Sequence, residues 1–119
     1  MAYVDGFLIP VPKRNRARYK KMSTQAGKVW MDHGAIGYCE CVADDVRYGV
    51  RTSFPQGVKL KKGEEVWFSY IVYRSRAQRD RIMKKVMTHP KLAGMDPKSM
   101  PFDGKRMFWG GFKPMVSAR

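Results

Sequence analysis

Acidic residues are scarce in this chain. Ten Asp and Glu stand against 24 Lys and Arg, giving a formal charge of +14 and a pI near 10.1. Such a balance attracts polyanions on electrostatic grounds, whether or not that attraction is the function. Cysteine is scarcer still. Cys39 and Cys41 alone cannot build a disulfide framework, which points to a reduced, cytoplasmic setting. No apolar run approaches the length of a membrane span, so no membrane partner is expected. Asp5 stands where the apolar core of a secretion signal would begin, and no such leader is read. There is no phosphate loop, no dinucleotide fingerprint and no serine–histidine–aspartate set. The two histidines, His33 and His89, fall at predicted helix ends and are not spaced to complete a metal site with the cysteines. No metal and no cofactor is therefore expected, and the sequence names no reaction.

What is present reads as one globular domain, residues 1–119, long enough for one core. Tyr3 to Val11 is apolar on both faces and reads as a buried strand ended by Pro10 and Pro12. Asn15 is the expected N-cap of a helix running to about His33, with Gly34 beyond its end. Tyr19, Met22, Ala26, Val29, Trp30 and His33 mark its buried stripe. Ala35 to Ala43 reads as a second strand and Asp44 to Gly63 as an extended arm. Glu65 to Tyr73 (EVWFSYIVY) is the strongest strand signal in the chain. Ser75 and Gln78 form a capping box opening a second long helix, whose apolar face is Ile82, Met83, Val86 and Met87. Pro90 ends it. A proline-punctuated loop follows, then an aromatic strand from Arg106 to Met115, interrupted by Gly110-Gly111. Paired glycines in a strand indicate a bulge, room for aromatic neighbours, or close approach of a ligand.

The order is β-α-β-β-α-β, an α+β, ferredoxin-like plan: an antiparallel sheet with two helices on one face. The other face would be left bare and rich in aromatics, which soluble monomers rarely tolerate. A second copy of the same sheet is the simplest cover, giving a homodimeric α/β barrel. Phe7, Trp67, Phe68 and Phe108 are the candidate interface residues.

Five segments carry a family resemblance: Tyr3-Val4-Asp5-Gly6-Phe7, Ile9-Pro10-Val11-Pro12, Ala26-Gly27-Lys28-Val29-Trp30, Thr52-Ser53-Phe54-Pro55, and the whole of Met95 to Gly111. On these the chain resembles, nearly end to end, an uncharacterised bacterial family of small proteins in the dimeric α/β-barrel superfamily. The resemblance implies two sheets facing each other across a dimer axis. It implies no activity, and fold alone is weak evidence for chemistry. The dense basic run from Lys13 to Lys21 departs from the expected family pattern.

Several residues could carry chemistry. If Val4, Gly6 and Leu8 face the helices, Asp5 points away from them into the barrel, and Glu40, flanked by Tyr38 and Val42 on the second strand, shares its phase. Two carboxylates in an aromatic cavity are candidate acid–base residues, unless Lys105 or Arg106 neutralises them. Tyr38, Asp103, Lys105, Arg106 and Trp109 are candidate contacts for a small-molecule ligand, with Arg106 as the fork for an anion. Asp96, Lys98 and Ser99 belong to the same loop group. Lys13, Arg14, Arg16, Arg18, Arg79 and Arg81 make a basic outer helical surface, which supports a rival reading as a nonspecific nucleic-acid binder. An RNA-recognition module has the same element order, with Trp67, Phe68, Tyr70 and Tyr73 as its aromatic platform. The third strand, however, lacks that module's characteristic pattern.

Overall fold

The computed structural model describes residues 2–90, 92 and 97–118. Among them the order is β1 (Tyr3–Pro12), a 3-10 turn (Lys13–Asn15), α1 (Arg16–Asp32), β2 (Gly37–Val42), the single-turn α2 (Phe54–Gly57), β3 (Glu64–Tyr73), α3 (Arg76–Met87), a 3-10 turn (Pro97–Ser99) and β4 (Phe108–Phe112). The strands form one antiparallel sheet in the order β2-β3-β1-β4. Each long helix carries the chain across one intervening strand, and α1 and α3 lie together on one face. Asp96, expected in the loop group, lies outside the described residues.

Local chemistry accounts for the element ends. β1 runs through Pro10 to Pro12 rather than stopping there. β4 pairs only with Val4–Leu8, so the proline segment has one unpaired edge, where a missing N–H is tolerated. Asn15 does precede α1, but its side chain caps nothing and instead donates to the Pro101 carbonyl at 3.3 Å. Gly34, at φ +111°, ends α1 in a Schellman turn: Gly34 N–H donates to Met31 O and Ala35 N–H to Trp30 O. Ser75 Oγ accepts from Gln78 N–H, while the Gln78 side chain reaches Arg74 N–H rather than Ser75. Ile82 and Val86 are buried as expected, but Met87 faces solvent. Ser53 caps α2 within the expected arm.

The faces of the sheet are opposite to the sequence expectation. Tyr3, Asp5, Phe7, Ile9 and Val11 of β1 lie under the helices. They register with Tyr73, Ile71, Ser69, Trp67 and Glu65 of β3. Two core clusters form there. One joins Tyr3, Val29, Ala35, Ile71, Tyr73, Ile82 and Val86; the other joins Ile9, Val11, Tyr19 and Trp67. Phe7 and Trp67 are thus on the helix side, Trp67 being 5% exposed, and cannot serve on the bare face. Tyr73 is buried with them, so only Phe68 and Tyr70 of the expected aromatic platform face outward. The bare face carries Phe68, Tyr70, Phe108 and Phe112, each exposed, beside Cys39 and Cys41.

Of the paired glycines in β4, Gly111 is required by close packing. It lies opposite Asp5, and a Cβ there would collide with the Tyr3 hydroxyl and the Arg79 guanidinium. The glycine makes room for neighbouring side chains of the protein itself.

Candidate functional site

Asp5 and Glu40 do share a phase, but both point toward the helices and they do different things. Asp5 is wholly buried. Its Oδ1 accepts from Arg79 Nε at 3.1 Å and its Oδ2 from the Tyr73 hydroxyl at 3.0 Å. Trp30 Nε1 donates in turn to that hydroxyl at 3.1 Å. Burial pushes the Asp5 carboxyl above its ordinary range, against the pull of Tyr73 and Arg79. Arg79 also stacks over the Tyr3 and Trp109 rings, at 5.0 and 5.7 Å from their centroids. This is a closed structural knot. Arg79, expected on a polyanion-binding surface, is its cation and is largely covered.

Glu40 sits two residues from Tyr38 on β2, under α1. Tyr19, Ser23 and Gly27 recur every fourth residue and place one narrow stripe of α1 against that strand. The Glu40 carboxylate accepts from the Tyr19 hydroxyl at 2.9 and 3.1 Å, from Ser23 Oγ at 2.5 Å and from the Tyr38 hydroxyl at 3.3 Å. No lysine or arginine among the described residues forms an ion pair with it. Burial and the neighbouring carboxylate hold the Tyr19 phenol far above its ordinary value, so it stays a proton donor. Burial likewise raises Tyr38. Gly27 lets the strand approach: a Cβ there would stand 2.7 Å from the Tyr38 ring.

Above this group opens a cavity of about 600 Å³ between α1 and β2. Glu40, Ser23 and Tyr38 line it with the apolar Val42, Met31 and Trp67, while Arg16, Lys20 and Lys28 bring positive charge to it. Arg16 is held by Glu65 at 2.6 Å and Lys28 by Asp32 at 3.0 Å. Glu65 also accepts from Trp67 Nε1 at 3.1 Å, which fixes the indole wall. The result is a volume suited to a small molecule, lined by the Glu40 carboxylate, the Ser23, Thr24 and Tyr38 hydroxyls and three cations.

The other expected ligand contacts lie elsewhere. Arg106 does not approach Asp5 or Glu40. Its guanidinium is occupied by Glu64 at 2.6 and 2.7 Å, by Asp103 at 2.8 Å and by the Lys59 carbonyl at 3.0 Å. These bonds hold Glu64 and Asp103 below their ordinary carboxylate values. Asp103 therefore serves the clamp, and Lys105 is exposed beside it. Trp109 stacks on Phe7 at 5.8 Å on β4, the opposite edge of the sheet from β2. Of the basic set, Lys13, Arg14, Arg16, Arg18 and Arg81 are exposed, Arg16 pairing with Glu65 and Arg18 donating to the Ser99 carbonyl at 2.8 Å. Tyr38 alone of the expected ligand contacts joins Glu40 at the cavity. In sequence Ser23 is not marked, and Gly27 is marked only within a family-resemblance segment, although a serine and a glycine every fourth residue after Tyr19 break the apolar stripe in a readable way.

Fold and site together define a small α+β protein with a helix-covered antiparallel sheet and a polar-floored cavity at one sheet edge. The chain belongs to a bacterial family described as protein of unknown function (DUF1428), whose model matches residues 2–104. It is 41% identical over 116 residues to the uncharacterized protein YbaA of Escherichia coli strain K12, and the match covers 98% of each chain. The YbaA protein of Shigella flexneri matches to the same extent. In structure the chain is similar to Rv0793 from Mycobacterium tuberculosis, with a TM-score of 0.54, 13% identity and full coverage of both chains. At that identity the likeness speaks for the fold alone.

Proposed function

We propose that this chain is a homodimer of ferredoxin-like protomers that binds a small anionic, partly apolar molecule between α1 and β2. The observation that carries the ligand reading is Glu40: a carboxylate held by three hydroxyls, without a cation, on the wall of an open cavity of about 600 Å³. The carboxylate and hydroxyls take the polar, hydrogen-bonding end of the ligand. Trp67, Val42 and Met31 take its apolar body. Lys20, which has no carboxylate partner among the described residues, faces its anionic end with Arg16 and Lys28 beside it.

The strand order β2-β3-β1-β4, with both crossovers on one face, supports the ferredoxin-like assignment. The exposed Phe68, Tyr70, Phe108 and Phe112 support a second copy of the sheet as the partner. Phe68 and Phe108 remain the interface residues of this reading, and Phe7 and Trp67 drop out of it.

Native mass spectrometry of freshly purified protein tests both parts, since it reads oligomeric state and retained small molecules in one spectrum. A dimer is expected, falling to monomer in Phe68→Arg. A screen of aromatic and aliphatic carboxylates by thermal shift should give hits that weaken in Lys20→Glu and Glu40→Gln. A monodisperse monomer would end the dimer reading. Hits indifferent to both cavity substitutions would end the ligand reading.

A further inference from the structure

Glu40 stands between the two cysteines of the chain. Strand alternation sends its side chain into the cavity and sends Cys39 and Cys41 together onto the bare face. There, on the edge strand and so at the margin of the face proposed to meet a second copy, the sulfurs are 3.6 Å apart, Cys41 exposed and Cys39 half-buried beside Tyr70. We propose that Cys39 and Cys41 are a thiol–disulfide exchange site, and that closing the disulfide pulls Glu40 out of its hydroxyl cradle.

The chemistry needs only a small disulfide, such as oxidised glutathione. The Cys41 thiolate attacks one sulfur of that disulfide, forming a mixed disulfide and expelling one glutathione thiolate. The Cys39 thiolate then attacks the Cys41 sulfur and expels the second. The two cysteines lose two electrons and two protons, and the reagent is reduced to two thiols. The sulfurs are already in contact, so the second step requires side-chain rotation and a small backbone pucker.

That pucker is the consequential part. Residues two apart on an extended strand have Cα atoms about 6.6 Å apart, farther than the about 5.5–6 Å at which most disulfides settle. Closing the bond therefore shortens β2 locally. β2 can yield, because it is an edge strand with β3 as its only neighbour. The residue displaced is Glu40, whose bonds to Tyr19 and Ser23 tie β2 to α1. An event on one face of the sheet would thus reach the cavity on the other through a single residue. A disulfide strained in this way is readily reduced, as a reversible site requires.

The inference uses the cavity described above, but its test reads the protein rather than any ligand, so an empty ligand screen does not decide it. The folded protein is incubated with oxidised glutathione, and its mass and its hydrogen–deuterium exchange are followed. The expected product has lost two hydrogens, carries no glutathione and remains one chain. Exchange should rise several-fold over residues 38–42 and over the Tyr19–Gly27 stretch of α1, and return on adding dithiothreitol. Cys39→Ser should stop at the glutathione adduct on Cys41 with α1 unchanged. Unreactive thiols, two separate adducts, or a disulfide between chains would overturn the exchange site. A disulfide within the chain that leaves α1 exchange unchanged would overturn the coupling to Glu40.

Discussion

The Asp5 carboxylate meets the Arg79 guanidinium at 3.1 Å beneath α3, with Asp5 wholly removed from solvent and Tyr73 closing its other oxygen. The two residues are 74 positions apart in sequence. Each is the reason the other can be there, because a buried charge without its partner is far more costly than the pair.

Asp5→Asn should therefore destabilise the fold by about 1–3 kcal/mol, since Arg79 loses its buried acceptor while keeping Asp80 at 2.8 Å. Ligand binding at the α1–β2 cavity should survive wherever the variant is folded. Chemical denaturation measures the first and the carboxylate screen the second. A small loss of stability would mean that Arg79 escapes to solvent on its own.

Glu40→Gln should behave differently. The amide keeps the shape but loses acceptor capacity toward Tyr19 and Ser23, for an expected loss of about 1–2 kcal/mol. In a double-mutant cycle with Tyr19→Phe the two changes should be non-additive by about 0.5–1 kcal/mol or more. Additive effects would show that the Tyr19–Glu40 bond contributes little.

Gly27→Ala sets two effects against each other. Alanine gains about 1 kcal/mol of helix propensity, while its Cβ would fall 2.7 Å from the Tyr38 ring, an overpacking that costs about 1–3 kcal/mol. Net destabilisation with a shifted Tyr38 ring is expected. A thermal melt gives the sign, and a gain in stability would show that Tyr38 moves aside freely.

The acid limb of stability should follow the lower clamp. Arg106 lowers Glu64 and Arg16 lowers Glu65 below the ordinary value of 4.5. The stability they contribute is present above that value and is lost as pH falls through their lower folded-state values. Asp5, raised by burial, acts in the opposite sense: its charged form weighs against the fold as pH rises above 3.8. Melting temperature should thus fall between about pH 5 and pH 3. Glu64→Gln should start lower and flatten that fall. An unchanged slope in Glu64→Gln would remove Glu64 as a source of the effect.

Elements with a strong local signature were legible in sequence: the run Glu65–Tyr73, the Ser75 cap and the Gly34 stop all match the structure to within a residue or so. The facing of β1 was not. Tyr3, Asp5, Phe7, Ile9 and Val11 alternate with Val4, Gly6, Leu8 and Pro10, and both sets are mostly apolar, so alternation carries no sign. Placing the one charged residue away from the helices was reasonable but incorrect, because its cation comes from α3. Arg106 was misassigned for the same reason: its partner Glu64 lies 42 residues away, and a guanidinium does not advertise which carboxylate it will meet. The cavity was half visible, through Glu40 and Tyr38. Its other half is a serine and a glycine on α1, residue types that rarely attract notice in a helix.

The sheet order has a consequence for how the chain is made. β1 is made before the other described strands, yet it is, like β3, flanked on both sides, here by β3 and then β4. The first neighbour begins only at Glu64, and the second arrives with Phe108–Phe112. During that interval an apolar strand and an amphipathic helix wait without their sheet. The buried Asp5 waits too, uncovered and charged, until Arg79 emerges. A carboxylate in the middle of an apolar strand weighs against its pairing with strands of its own kind.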